Sequence, residues 1–280
     1  MSRPLSSSEH GYIERGIQLG VRNDGRTGLS MRRVRVVLNE LPHSHGSARC
    51  VVGASATEVL VSVKAELVSL LGLSSPPAFV ECAAQTLVGG SGAAEDSALA
   101  AALQALLGGP NVFPADALTV VPGRWQWRLL VDALVLAEDG GVLDAASVAA
   151  AAALRATRLP ALRVLRSGGP PPAPEAIDLE LNDDPGAAWA IPSAAASIPL
   201  ALTLHYIKGL AVVDASAEEV ACATASACIG INPSGQVTYL QTSGKEGLPT
   251  QELGIAIAAA QKLVPVLVGF LGSGEASSTG

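Results

Sequence analysis

The feature that most constrains the fold is the segment from Ala145 to Arg155, AASVAAAAALR, which consists almost entirely of alanine. Alanine has the highest helix propensity of all residues, so the segment predicts a helix. Because this helix would be apolar on every side, it must be buried rather than lie on the surface. We therefore expect a central helix covered by a sheet.

Other segments supply the strands for such a sheet. Val34–Leu38 is a β-branched run, and Glu58–Glu66 alternates so that Val59, Val61 and Val63 share one face. Strands are also predicted at Ser47–Val52, Phe79–Leu87, Leu118–Val121, Trp125–Leu136, Ile177–Leu181, Leu202–Tyr206, Leu210–Val213 and Val237–Gln241.

Three further helices are indicated by caps and by periodicity. The sequence SSSE at Ser6–Glu9 predicts a capped amino-terminal helix, and leucines at helical spacing mark Glu95–Leu107. Thr250–Leu271 predicts a terminal helix that contains Pro265. Glu218–Ile231 is compatible with helix, strand or both. This order of elements predicts an α+β fold with mixed or antiparallel sheets, packed helices and a partial internal β-α duplication.

We expect one domain over residues 1–280, with a helical extension at about 5–20, a flexible Pro/Gly insert at about 166–175 and a frayed tail at 272–280. The chain is 49% hydrophobic but only 3% aromatic, so alanine, valine and leucine must fill its core. The resulting small-residue surface suits packing against partner subunits, although codon bias would give the same composition.

Composition and motifs also exclude several classes of protein. The net charge of −7 argues against a free-standing polyanion binder. Charged residues and Pro265 interrupt every long apolar run, and the first residues lack an apolar core, so neither a membrane span nor a signal peptide is expected. The four cysteines follow no zinc pattern and indicate a reducing compartment. No metal or cofactor is expected.

Several short motifs are informative because of their order and spacing along the chain. Arg22-Asn-Asp-Gly-Arg26 precedes Arg32, and the hairpin that follows ends with Lys64 and Glu66. The later motifs are Asp139-Gly-Gly141, Thr157–Pro160 and Leu181–Pro185. Together they cover roughly residues 5 to 270, and the chain resembles the exosome subunit family derived from bacterial RNase PH. This resemblance implies an RNase PH-like fold in a ring of heterodimers.

The resemblance also implies that catalysis has been lost. Active members carry Gly-Gly-Thr-Arg at a phosphate-binding turn, where this chain has the degenerate sequence Gly140-Gly141-Val142-Leu143-Asp144. We expect Asp144 to cap the following helix and to repel phosphate. No acid occurs between Cys222 and Cys228, where active members hold a catalytic carboxylate, and Glu95–Leu107 lacks the arginines that bind RNA. Asp214, Glu218 and Glu219 are interpreted as a loop and helix-start cluster.

The family resemblance therefore predicts a non-catalytic exosome ring subunit that supports 3'-to-5' RNA processing by forming the central RNA channel. Its partners would be other RNase PH-like ring subunits, cap subunits, single-stranded RNA and a separate hydrolytic nuclease, in the nucleus, nucleolus and cytoplasm. RNA contacts are predicted at Arg22, Arg26, Arg32 and Lys64, although Arg26 could instead pair with Asp24. Three alternatives stay open: the RNA-feeding half of a phosphorolytic heterodimer, a sister type of ring subunit, and an unrelated α+β metabolic enzyme.

Overall fold

The computed structural model describes residues 5–54, 56–73, 75, 77–87, 92–109, 112–114, 116–167, 176–182, 184–191, 197–245 and 247–271. Within these residues the α-helices are α1 Ser7–Gln18, α2 Ala93–Leu107, α3 Val142–Ala156, α4 Ala217–Cys222 and α5 Thr250–Phe270. The strands are β1 Val34–Leu38, β2 Gly46–Val52, β3 Thr57–Ser69, β4 Val80–Thr86, β5 Thr119–Val121, β6 Trp125–Ala137, β7 Arg158–Leu159, β8 Leu162–Ser167, β9 Ala176–Leu181, β10 Trp189–Ala190, β11 Leu200–Ile207, β12 Leu210–Val213, β13 Ala225–Ile231 and β14 Val237–Gly244.

Two larger sheets carry the fold. The first has the order β1-β2-β3-β6-β4, with β5 paired to β6, and it is antiparallel except that β4 runs parallel to β6. The second sheet is antiparallel and has the order β12-β11-β13-β14. Two separate ribbons, β7–β10 and β8–β9, follow α3 along the chain. The predicted α+β architecture with mixed and antiparallel sheets is therefore confirmed.

Helix α3 is the central element, as its alanine content predicted. Every residue from Asp144 to Leu154 is buried. The helix packs against β2 and β3 of the first sheet and against β11 of the second. Small side chains let it lie close to both sheets, and one hydrophobic cluster includes side chains from β1 through to α5.

Most of the sequence-based element predictions are confirmed. Ser6 and Glu9 form a reciprocal capping box at the start of α1. Val59, Val61 and Val63 are fully buried on one face of β3. The ambiguous segment from Glu218 to Ile231 divides between the short helix α4 and strand β13.

The predicted insert at 166–175 is wrong at its start, because Arg166 and Ser167 belong to β8 and pair with β9. Residues 168–175 and the predicted tail at 272–280 lie outside the described residues. The ladder of backbone hydrogen bonds continues through Ser167 and sets the boundary of the strand.

Helix α5 has both the length and the apolar composition that a membrane span requires. One face of this helix is nevertheless buried, through Ala256, Ala260, Val264 and Leu267. That face packs on β11 and β13, and α5 therefore covers the second sheet.

Gly46 marks the closest approach of β2 to the carboxyl end of α3. A Cβ atom at this position would lie 2.4 Å from Thr157 Oγ1 and 2.6 Å from the carbonyl oxygen of Ala153. We expect Gly46→Ala to lower the free energy of unfolding by about 1–3 kcal/mol, because overpacking must displace backbone atoms. Urea unfolding measures this loss.

The control for this experiment is Gly11→Ala, at an exposed glycine in α1 whose added Cβ would meet no atom within 4 Å. Alanine favours helix over glycine by about 1 kcal/mol, so this variant should be at least as stable as the parent chain. Equal stability of the two variants would contradict the close packing at Gly46.

Candidate functional site at the amino end of helix α3

Two consecutive glycines make the turn that starts α3. Gly140 and Gly141 have φ angles of 74° and 64°, in the left-handed region that favours glycine. A Cβ at Gly140 would lie 2.1 Å from the carbonyl oxygen of Ala215, so this position also permits close backbone approach. Gly141 is the N-cap and contributes no side-chain hydrogen bond to the helix. The turn thus needs glycine for its backbone conformation and supplies no side-chain donor of its own.

Asp144 is buried and faces the second sheet. Its Oδ2 accepts the backbone N–H of Thr203 at 2.9 Å, and its Oδ1 accepts the Thr203 hydroxyl at 2.7 Å. The expectation that Asp144 caps α3 is wrong, because its carboxyl group binds β11 rather than the first turn of the helix. Burial raises the pKa of Asp144 to about 7, although the two bonds from Thr203 favour the ionised form.

One side of the turn, that of Leu143, is apolar. Leu143 packs against a small cluster formed by Leu106 of α2, Ala201 of β11 and Cys228 of β13. Burial raises the pKa of the Cys228 thiol to about 12, so this group stays neutral at physiological pH. This cluster carries no cationic side chain, and nothing in it would attract an anion.

Arg22 lies inside the protein rather than on an RNA-binding surface. Its guanidinium donates to Glu219 at 2.9 and 2.6 Å and to the carbonyl oxygens of Val213 and Asp214 at 2.9 and 2.8 Å. The side chains of Arg22 and Glu219 are 1% and 4% exposed. The prediction that Arg22 contacts RNA is therefore wrong, since these partners use its donors and bury it.

Arg26 and Arg32 converge on one carboxylate, that of Asp214. Arg26 Nη1 donates to Asp214 Oδ2 at 2.9 Å, and Arg32 Nη2 donates to Oδ1 at 2.7 Å. Arg32 also binds Asp139, and Arg26 binds Asp24 at 2.6 Å as the alternative interpretation expected. These bonds hold together the loop before β1, the glycine turn and the segment before α4.

Lys64 lies apart from the arginines. It is exposed on β3, and within the described part of the chain it has no ion pair. Thr57, at the start of the same strand, contacts the carbonyl oxygen of Gly140 at 2.7 Å. At about 3.3 Å per strand residue, Lys64 is roughly 20 Å further along β3. The four predicted RNA contacts therefore do not form one surface.

The partners of the arginines are what sequence reasoning missed. The interpretation of Asp214, Glu218 and Glu219 as a loop and helix-start cluster is confirmed, since Glu218 and Glu219 lie in the first turn of α4. In addition, Asp214 and Glu219 neutralise arginines that lie far away in sequence. The sequence signal for these contacts is that the segment from Arg22 to Arg32 is basic and the segment from Asp214 to Glu219 is acidic. That signal carries no pairing information, because the contacts depend on how β12 and α4 pack beside the loop before β1.

Comparisons with known proteins point to one family. The family model for domain 1 of the 3' exoribonuclease family (RNase PH) matches residues 30–160, and the model for domain 2 matches residues 197–262. The chain is 28% identical to the putative exosome complex exonuclease RRP42 of Dictyostelium discoideum, over 87% of this chain and 89% of that protein. It is 25% identical to the exosome complex component Rrp42 of Methanocella arvoryzae, over 94% and 95%.

Solved structures show the same fold. An archaeal exosome core chain superposes with a TM-score of 0.72 at 20% identity, covering 94% of this chain and 96% of that one. A chain of the Archaeoglobus fulgidus exosome with RNA bound to the active site gives 0.73 at 20% identity, over 94% and 97%. The chain therefore belongs to the 3' exoribonuclease family with the RNase PH fold. Within that family it is of the Rrp42 type.

The buried pair of Arg22 and Glu219 allows a stability test. Glu219→Gln removes one charge and leaves the Arg22 guanidinium buried without its counterion, so we expect a loss of about 3–5 kcal/mol in unfolding free energy. The control is Glu81→Gln, which breaks the exposed pair with Arg128 and should cost less than about 1 kcal/mol. Denaturant unfolding measures the unfolding free energy of both variants. Similar losses for Glu219→Gln and Glu81→Gln would argue against a buried pair of Arg22 and Glu219.

The raised pKa of Asp144 predicts an unusual pH dependence of the unfolding free energy. Its folded-state pKa of about 7 lies above its ordinary value of 3.8, so its stabilising contribution is complete below pH 3.8 and is lost as pH rises through 7. Between pH 5 and 8, the parent chain should lose on the order of 2 kcal/mol more unfolding free energy than Asp144→Asn. The exposed Asp116→Asn serves as control and should follow the parent chain. Parallel pH profiles for the parent and Asp144→Asn would contradict the assignment.

Proposed function

We propose that this chain is a non-catalytic subunit of the RNA exosome ring. In this role it supports 3'-to-5' processing and degradation of RNA by forming part of the wall of a central channel. The observation that carries the proposal is the amino end of α3. The residues of the turn supply no cation or hydroxyl of their own, and the neighbouring Arg32 and Thr57 are already bound to Asp214 and to the carbonyl oxygen of Gly140. Phosphorolysis must hold inorganic phosphate there, and an anion needs donors and positive charge.

The groups at this turn oppose anion binding. Val142 and Leu143 are the first helical residues, and Leu143 joins an apolar cluster. Asp144 follows them and is bound to Thr203. When ionised, its carboxylate adds negative charge beside the position that phosphate would occupy, so this end of the helix repels the co-substrate.

Two other requirements of phosphorolysis are also unmet. The segment from Cys222 to Cys228, at the end of α4 and the start of β13, contains no acid that could protonate a leaving group or bind a metal. Helix α2 contains no lysine or arginine to hold an RNA backbone. Each loss would be sufficient to impair catalysis, and the three arise from separate elements.

The names that the relatives carry support a role in assembly. Both the Dictyostelium and the archaeal relatives are named as RRP42 or Rrp42 of the exosome complex. We propose that this chain binds other RNase PH-like ring subunits and cap subunits, and that single-stranded RNA passes through the ring to a separate hydrolytic nuclease. With a net charge of −7, the chain would depend on neighbouring subunits for much of the positive charge along the RNA path. The complex would act in the nucleus, the nucleolus and the cytoplasm.

A second candidate function is the RNA-feeding half of a phosphorolytic heterodimer. The likeness to archaeal Rrp42 chains and to an archaeal exosome with RNA at its active site favours it. In that case the chain still lacks catalysis, but a partner subunit uses phosphate. Lys64, exposed on β3, remains a predicted RNA contact under both candidate functions.

The purified chain should not degrade single-stranded RNA in the presence of inorganic phosphate, because its anion site is absent. Release of nucleoside diphosphates from a labelled RNA is the measurement, and an active RNase PH is the positive control. Phosphate-dependent degradation by the lone chain would refute the non-catalytic assignment. Activity that appears only after an RNase PH-like partner is added would favour the second candidate.

A further inference from the structure

Cys222 and His10 form a thiol–imidazole pair where α1 packs against α4. The Sγ atom of Cys222 lies 3.2 Å from Nδ1 of His10, although the two residues are 212 positions apart in the sequence. Cys222 ends α4 and is 6% exposed, whereas His10 in α1 is half-buried. Thiolate sulfur and imidazole nitrogen are donor atoms that zinc prefers in proteins. The fold therefore brings together two ligand types that no sequence spacing indicates.

The separation of the two donor atoms is close to the one that a zinc ion imposes. Zinc binds sulfur at about 2.3 Å and nitrogen at about 2.0–2.1 Å, in tetrahedral geometry. Two such bonds place the sulfur and the nitrogen about 3.6 Å apart. The observed distance of 3.2 Å must widen by only about 0.4 Å to admit the ion, and small side-chain rotations supply such a shift.

Carboxylates lie around this pair. Glu14 follows His10 by about one turn on the same face of α1, and Glu218 precedes Cys222 by about one turn on α4. Both carboxylates act electrostatically on the Cys222 thiol, and the effect of Glu14 is the larger. Their negative charge favours a bound cation, and a carboxylate oxygen is itself a zinc ligand. Glu14 is therefore the candidate third ligand.

One rearrangement is required before Glu14 can bind a metal. Within the residues that the structure describes, no three histidine, cysteine, aspartate or glutamate side chains are already arranged to hold an ion. Glu14 instead lies 3.2 Å from Nζ of Lys208, and the side chains of Lys208 and Glu14 are 48% and 27% exposed. An ion pair that is open to water contributes little to stability, so Glu14 can exchange Lys208 for a metal ion.

We propose that His10, Glu14 and Cys222 bind one zinc ion, with water as the fourth ligand. The thiol proton passes to solvent when the sulfur binds, so each zinc ion that enters releases one proton from Cys222. The ion ties the amino-terminal helix α1 to α4. This inference does not depend on the proposed exosome role.

Three substitutions test the ligands, and one serves as a matched control. Cys222→Ser, His10→Gln and Glu14→Gln each remove one donor with little change in size. The control is Cys82→Ser, because Cys82 is a partly exposed thiol that also lies near two carboxylates. Among the described thiols, only that of Cys222 is bonded to a histidine. The control therefore separates a thiol–imidazole site from a thiol that merely lies beside acids.

Zinc affinity is measured under reducing conditions by competition with a chromophoric chelator of micromolar affinity. Co²⁺ reports a thiolate ligand through its charge-transfer absorption. We expect the parent chain and Cys82→Ser to bind one zinc ion per chain and to unfold at a higher temperature with zinc than without it. Cys222→Ser and His10→Gln should bind zinc roughly tenfold more weakly or worse, and Cys222→Ser should lose the cobalt charge-transfer band.

Folding of each variant is verified by circular dichroism and thermal unfolding without metal, and if one ligand variant does not fold the other decides. Parental zinc affinity in Cys222→Ser or in His10→Gln would overturn the proposal. Failure of the parent chain to take zinc from the chelator would do the same, as would an equal loss of affinity in Cys82→Ser. Glu14→Gln should also weaken zinc binding, and parental affinity in this variant would show that the three-ligand centre is wrong.

Discussion

The structure depends on the burial of α3 between its two sheets. A helix made of alanine has little side-chain volume, so both sheets can approach its backbone closely, as the contact between Gly46 and the end of α3 shows. Because α3 is densely packed on all sides, its amino end is held beside the segments that precede α4 and β1. The geometry of the candidate site follows from this packing.

A set of buried charged side chains also stabilises the candidate site. Asp214 accepts bonds from Arg26 and Arg32, and Glu219 neutralises Arg22. Charges this deeply buried require partners, since an unpaired one would cost several kcal/mol, on the order of 3–5 when a partner is removed. The arginines of the amino-terminal motif consequently stabilise the fold, and Arg32 holds the glycine turn through the carbonyl oxygens of Asp139 and Gly140.

For the non-catalytic role that we propose, the residues that matter at this turn are few and adjacent. Leu143 packs against apolar neighbours beside the turn, and Asp144 binds β11. These changes leave the backbone intact, which agrees with a superposition on archaeal exosome chains over 94% of the sequence. The scaffold role that we propose requires the shape of the family and does not require its chemistry.

By itself, the sequence determined the elements and the fold family. Alanine content placed α3, valine alternation placed the buried face of β3, and the Ser6–Glu9 cap placed α1, because each signal depends on residues close together in the chain. The tertiary structure alone decided the roles of individual charges: Arg22 is buried against Glu219, and Asp144 binds Thr203 rather than capping its own helix. The physical reason is that a charge is stabilised by whatever lies beside it in space. Those neighbours come from segments whose distance along the chain leaves no local pattern.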